Sequence, residues 1–355
     1  MDAYPGLHMT HPAFASALRH STNFLETLDS APVSSGVTLR RLRETLGMPL
    51  NDAPIPAEQV IDELAAAART GILGNPGGRF YAWTIGGSTP AALAADWLTS
   101  VCGPAAAGSR KVAGGWLKKL LGLPLGASFA FVSGCQMPHV TCLAAARNEL
   151  LGRAGWDVEE QGMAGAPAIR ILASNRHGSV ERAARLLGIG KLNIVDLPLD
   201  ESERVQPAEL ESALQREGGN VILILQAGDL NTGSFDRYSE LIPIARRHGA
   251  WVHIDGAFGL WAAASPKYRH LLEGFEMADS WATDGHKWLH VPYDCSYAFV
   301  ARPEAHRAAM SHRAPYLVHD AEARDQIDWN PEWSRRARGF ATDAASREMG
   351  PCGSG

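Results

Sequence analysis

Lysine is scarce in this chain of 355 residues. Among 33 basic residues only Lys111, Lys118, Lys119, Lys191, Lys267 and Lys287 are lysines, so chemistry that demands an amine has few candidates. Cysteine is sparse too. Cys102, Cys135, Cys142, Cys295 and Cys352 form no C-x-x-C pair, which argues against a disulfide framework and for free thiols. Neither sign of charge dominates. A net charge of -5 and a pI near 6.2 give no bulk attraction for nucleic acid or an anionic membrane, and neither is expected as a partner. The longest aliphatic runs, such as 221–225, fall far short of the roughly 20 residues that cross a bilayer. The opening MDAYPGLHMTHPAF lacks the basic start and apolar core of a secretory signal, so a cytoplasmic location is expected. No P-loop pattern occurs, and no G-x-G-x-x-G follows a strand, which sets aside a nicotinamide dehydrogenase. No His/Cys/Asp/Glu cluster has ligand spacing, so no metal site is expected.

What is present is a globular composition, 46% hydrophobic and 20% charged, enough for about two domains or one large α/β domain with attachments. Residues 1–75 read as a helical arm, with Val60, Leu64, Ala67 and Ile72 at helical spacing after the breakers Pro54 and Pro56. The stretch 74–90 is glycine-rich with interleaved aromatics and reads as a loop carrying a surface or pocket; a helix follows over 91–101. From about residue 129 strands and helices alternate. Strands are expected at 129–132, 169–173, 221–226, 251–255 and 296–301, and helices at 137–151, 179–187 and 238–247. Such alternation predicts an α/β fold, a mostly parallel sheet with helices on both faces and ligands at the carboxyl ends of strands. The expected division is an arm at 1–75, a large domain at 76–300 and the start of a small domain at 301–355.

Four segments carry chemistry. In WVHIDGAF an apolar strand ends in Asp255, and SWATDGHKWLHVPYDCS places Lys287 beside His286 and Trp288. A strand-end carboxylate followed by a lysine among aromatics suits a pyridoxal-phosphate site, where the amine joins the cofactor aldehyde and the carboxylate keeps the pyridine nitrogen protonated. The plainer alternative is a strand cap and a surface charge. In FVSGCQMPHVTCLAAAR a strand runs into small residues at a helix start, which suits a phosphate but also many ordinary loops. His177, after the strand 169–173, could stack on a flat ring or simply cap the helix that follows. Thr232, in QAGDLNTGSFD, could touch a ligand or help turn the chain.

Together these segments resemble the group II pyridoxal-phosphate-dependent amino-acid decarboxylases, which include aromatic-L-amino-acid, tyrosine, histidine and glutamate decarboxylases. The resemblance runs from about residue 40 to 340, with HKWL and PYDCS its most specific part. It implies a fold-type I architecture, a homodimer with active sites at the subunit interface, and an amino acid as substrate. It makes Lys287 the cofactor-binding lysine, His286 its cofactor-contacting neighbour, Asp255 the ring-nitrogen partner, Ala257 a ring contact and His177, in HGSVERA, the stacking histidine that takes part in proton transfer. Gly134, Cys135 and Gln136 stand in the phosphate loop, and Thr232 in a cofactor-contacting loop. FYAWTIGG resembles the loop lining the substrate pocket, near Trp83 and Gly86, and Tyr81 and Trp83 point toward an aromatic substrate.

Three departures stand out. After PEWSRRARGF the tail ATDAASREMGPCGSG does not read as a packed domain, so the small C-terminal domain is expected to be largely missing and activity weakened. The stretch 318–328 has no aromatic where many members carry a catalytic tyrosine. Cys135 and Gln136 replace the Ser or Thr of many relatives, shifting the phosphate grip toward backbone amides. The expected activity is removal of the α-carboxylate of an amino acid to give an amine. An aminotransferase, an aldehyde synthase and a non-catalytic homologue that keeps the cofactor core are the alternatives.

Overall fold

In a computed structural model of the chain the described residues are 11–34, 36–47, 53–102, 107–312, 326–333 and 335–350. The segment 318–325, Cys352 and the last residues of the tail lie outside them. The chain divides into two compact units, Met1–Gly87 and Ser88–Gly355. The glycine-rich stretch up to Gly87 thus belongs with the N-terminal unit rather than with the large one.

The N-terminal unit holds α1 (Pro12–Glu26), α2 (Leu39–Leu46) and α3 (Ala57–Ala68). α1 starts cleanly because the His11 side chain accepts from the Ala13 amide and Pro12 occupies the first turn. It packs on α3 through Asp62, whose carboxylate receives the Ser16 hydroxyl, Arg19 at 2.8 Å and His20 at 2.8 Å. Val60 and Leu64 of the expected apolar stripe remain exposed.

The second unit runs α4 (Pro90–Cys102), α5 (Ala107–Leu120), β1 (Ser128–Val132), α6 (Gln136–Arg153), α7 (Val158–Gln161), β2 (Ile169–Ala173), α8 (Gly178–Leu186), β3 (Ile194–Asp196), α9 (Pro207–Glu217), β4 (Asn220–Gln226), α10 (Tyr238–Arg247), β5 (Trp251–Asp255), β6 (Ser280–Asp284), α11 (Gly285–Trp288), β7 (Ser296–Val300), α12 (Pro303–Met310) and α13 (Gly339–Met349). Among the described residues seven strands form one sheet in the order β1-β7-β6-β5-β4-β2-β3. Only β7 runs against the rest, antiparallel to both β1 and β6. The other six point one way, so the loops after β1, β2, β4, β5 and β6 emerge along a single edge.

Alternation along the strands explains why both faces of the sheet are dry. Ile222 and Ile224 join Trp251, Leu143 and Leu151 on the α6 side, whereas Leu223, Leu225, Val252 and Ile254 join Leu241, Leu214 and Leu117 on the other. A strand buried on both faces reads as the unbroken apolar run at 221–225. Each such leucine or isoleucine, fully buried, contributes about 1.5–3 kcal/mol. No helix among the described residues is long and apolar enough to cross a membrane.

The sequence reading missed β3, which is only three residues long, and β6, SWATD, which carries Ser280, Thr283 and Asp284 at buried positions. It also read the tail too loosely. Residues 339–349 form α13, which packs on α4 and α5 with Ala341, Thr342 and Ala345 buried. Its small side chains allow close approach but give little hydrophobic periodicity to read.

Candidate active site

β5 and β6 lie side by side and end in carboxylates. Asp255 is 4% exposed and Asp284 2%. Directly after Asp284 the chain turns into α11, which carries Lys287. The turn is tight because Gly285 lies against Tyr297: a Cβ there would sit 2.3 Å from the tyrosine oxygen. Lys287 Nζ stands 3.4 Å from Asp284 Oδ2 and 5.6 Å from the centre of the Phe258 ring. The Ser296 hydroxyl donates to the other oxygen of Asp284. His286 is held with its Nδ1 2.9 Å from the Cys295 carbonyl and its ring stacked on Tyr293 at 4.2 Å. Burial lowers the His286 pKa, with Asp284 resisting.

Asp255 is gripped on both oxygens. Oδ1 accepts the Ala257 amide at 3.2 Å, and Oδ2 lies 3.4 Å from His139 Nε2. Burial opposes its charge, but His139, His253 and the Ala257 amide together outweigh burial and keep the carboxyl below its ordinary range.

The loop after β1 leads into the N-terminus of α6. Ser133 donates its amide to Glu332 at 3.2 Å, and its carbonyl lies 3.2 Å from the Ser296 hydroxyl. At Gly134 an added Cβ would meet nothing within 4 Å, so an anion has room to approach the backbone. Cys135 Sγ is 3.7 Å from His139 Nε2. Burial raises the Cys135 pKa, as do Asp284 and Asp255, while Lys287 pulls it down. The loop therefore stands among both carboxylates and the lysine. Gln136 points its amide at the Ser179 carbonyl, 3.1 Å away, tying this loop to the start of α8.

The structure brings Cys135, Asp255, His286 and Lys287 into one region. His177 and Thr232 each make a local contact. His177 caps α8, its Nδ1 2.7 Å from Ser179 Oγ and 3.3 Å from the Ser179 amide. Thr232 is exposed and bonds Asp229 through its hydroxyl at 3.0 Å and its amide at 2.9 Å, which folds the loop after β4. Trp83 and Gly86 belong to the N-terminal unit, where Trp83 is 66% exposed and meets Phe80 edge-on at 5.3 Å.

Three groups escaped the sequence reading. His139 and His253 are both fully buried beside Asp255, and Asp284 neighbours the lysine. The signals were available: His139 stands one helical turn after Cys135, and His253 alternates with Asp255 on one strand face. Ligand atoms of Cys135, His139 and Asp255 lie within 4.8 Å of one another, a donor set assembled by tertiary contact.

A buried carboxylate ending one strand, a lysine on the turn ending the next and an open helix N-terminus define a site for an aromatic aldehyde cofactor bearing a phosphate. The chain belongs to the pyridoxal-dependent decarboxylases: their conserved domain matches residues 41–353, and pyridoxal phosphate is the cofactor of that domain. Phenylacetaldehyde synthase of Petunia hybrida is 26% identical over 342 residues, covering 89% of this chain and 66% of that protein. Aromatic-L-amino-acid decarboxylase of Drosophila melanogaster is 27% identical, covering 95% of this chain and 71% of that protein. The crystal structure of Oryza sativa TDC with PLP and tryptamine superposes with a TM-score of 0.89 at 24% identity, over 99% of this chain and 77% of that one. Rhodiola rosea 4-hydroxyphenylacetaldehyde synthase gives 0.85 at 24%, over 98% and 75%. The fold is the fold-type I architecture that the resemblance implied.

Proposed function

We propose that this protein is a carboxy-lyase that removes the α-carboxylate of an amino acid, with an aromatic side chain favoured, to give carbon dioxide and an amine. The observation that carries the reading is the buried carboxylate of Asp255 at the end of β5, with Lys287 on the turn that follows the adjacent strand β6, inside a family of amino-acid decarboxylases. The aromatic preference draws on relatives named aromatic-L-amino-acid decarboxylase, including one from Bacillus atrophaeus that is 31% identical over 63% of this chain.

When bound, pyridoxal phosphate supplies an electron sink for the bond that breaks at the substrate α-carbon. Lys287 would hold the cofactor through its aldehyde, its amine steadied by Asp284 at 3.4 Å. Asp255, buried and ionised, holds a proton on the ring nitrogen. The amides of Gly134, Cys135 and Gln136, at the positive end of α6, grip the phosphate. His286, Ala257 and Thr232 contact the cofactor. His177, whose Nδ1 is occupied by Ser179, covers the ring and hands a proton to the substrate carbon through Nε2. Trp83 and Gly86 line the substrate pocket of a homodimer.

A second reading, an aldehyde synthase, is favoured by relatives so named at 26% and 27% identity. That outcome removes two electrons from the amine carbon, so it needs an oxidant such as dioxygen. The test is one incubation of the cofactor-loaded protein with L-tyrosine, L-tryptophan, L-phenylalanine and L-aspartate, following carbon dioxide, amine, aldehyde, keto acid and oxygen uptake. Amine formed in step with carbon dioxide supports the carboxy-lyase. Aldehyde with oxygen uptake replaces it by the second reading, and keto acid without carbon dioxide overturns both. Sedimentation at equilibrium tests the dimer.

A further inference from the structure

Behind Asp255 a line of buried polar groups runs into the protein. Trp251, His253 and Asp255 share one face of β5, the face covered by α6. His139, on α6, places Nε2 3.4 Å from Asp255 Oδ2 and Nδ1 3.0 Å from His253 Nε2. The two rings meet nearly at right angles, with centres 5.2 Å apart. His253 Nδ1 lies 2.9 Å from Ser280 Oγ, its register partner on β6, and Trp251 Nε1 donates to the same oxygen at 2.9 Å. His139, His253 and Ser280 have no exposed surface.

The donors and acceptors give this line a direction. The indole N–H of Trp251 can only donate, so Ser280 Oγ accepts from it, and the carboxylate end of the line sets Ser280 to give its own hydrogen to His253 Nδ1. Burial holds His253 neutral, its pKa pushed down to about 3. With Nδ1 accepting, its hydrogen is on Nε2 and goes to His139 Nδ1. His139 then carries its hydrogen on Nε2, facing Asp255. The other end agrees, because an ionised carboxylate only accepts. The reverse direction would set a lone pair of His139 against the carboxylate or demand a second proton on the ring.

We infer that His139 is a positioning residue for Asp255. Its Nε2–H holds the Oδ2 side of the carboxylate, while His253, Ser280 and Trp251 fix the tautomer that makes this possible. The inference rests on the reading of Asp255 as the partner of the cofactor's ring nitrogen, and it adds the group that keeps Asp255 ionised and in one orientation. Outer partners of this kind stabilise a ligand they never touch.

The experiment uses the holoenzyme loaded with pyridoxal phosphate carrying nitrogen-15 in the ring. Ring-nitrogen chemical shift and cofactor dissociation constant are measured for wild type, His139→Leu, His139→Gln and Asp255→Asn, with circular dichroism confirming the fold. His139→Leu is expected to move the ring-nitrogen signal toward the unprotonated position and weaken cofactor binding by about tenfold or more. His139→Gln, which keeps an N–H donor, should stay close to wild type. Wild-type signal and affinity in His139→Leu, with Asp255→Asn shifted, would overturn the role of His139 alone. An unshifted Asp255→Asn would instead overturn the underlying reading of Asp255. Should His139→Leu unfold, His253→Asn decides: it leaves His139 in place but breaks the line behind it, so a shift in the same direction supports the inference and no shift overturns it.

Discussion

Lys287 Nζ lies 3.4 Å from Oδ2 of Asp284, three residues earlier and only 2% exposed. A four-residue helix such as α11 is too short to hold a side chain by its own stability. Here the strand end does the holding, because Asp284 is itself anchored by the Ser296 hydroxyl on β7. The amine is therefore carried by the sheet rather than by a loop.

That placement sets the first expected outcome. Borohydride reduction of the protein loaded with pyridoxal phosphate, followed by peptide mapping, should put the label on Lys287 and on none of the other lysines. Lys191, paired with Glu181, and Lys267, over the Tyr268 ring, are the informative controls. A label on either one instead would remove Lys287 from its role.

Asp255→Asn is expected to retain cofactor but lose about a thousandfold in turnover. A unit charge pair about 4 Å apart at an effective dielectric near 20 is worth about 4 kcal/mol, and each 1.36 kcal/mol is tenfold in rate. Steady-state carbon dioxide release checks this. Turnover near wild type would reduce the carboxylate to a structural role.

Two glycines should respond in opposite ways to the same added methyl group. Gly285→Ala drives a Cβ into the fully buried Tyr297, whose hydroxyl is also held by Thr342 at 2.8 Å, and should cost about 1–3 kcal/mol of stability. Gly134→Ala meets no protein atom within 4 Å, so it should leave stability alone and weaken cofactor binding. Denaturant melts together with cofactor titrations separate the two effects.

Stability should fall on mild acidification. The folded pKa of His253, about 3, lies below the unfolded value of 6.5, so between these limits the unfolded chain binds the extra proton. The stability this group contributes is full above pH 6.5 and is lost as pH falls toward 3, at up to about 1.4 kcal/mol per pH unit. His286, lowered in the same direction, adds to the fall. Urea midpoints at pH 7 and pH 5 should differ, and the difference should shrink in His253→Asn. An unchanged difference would show that the proton is taken up elsewhere.

Much of this architecture is legible in the chain. Strands β2 and β5 and helix α10 fall where apolar periodicity put them, because each buries a face whose period matches its own geometry. β6 escaped because a strand with Ser, Thr and Asp at buried positions satisfies those groups through tertiary partners, as Trp251 does for Ser280. His177 and Thr232 show the converse: residues in a matching motif also form a local cap and a local turn, contacts that depend on backbone geometry.

The sequence alone determined the alternating α/β order, the strand-end Asp255 and the lone lysine set among aromatics, since these depend on local pattern and residue chemistry. Tertiary structure decided the rest. Strand order laid β5 beside β6 and so set Asp255 and Asp284 at one edge. Helix α6, packed across that face, delivered His139 from more than a hundred residues away to the carboxylate of Asp255. Hydrogen bonds across such separations leave no period in the chain, because they are selected by packing and desolvation in the folded state.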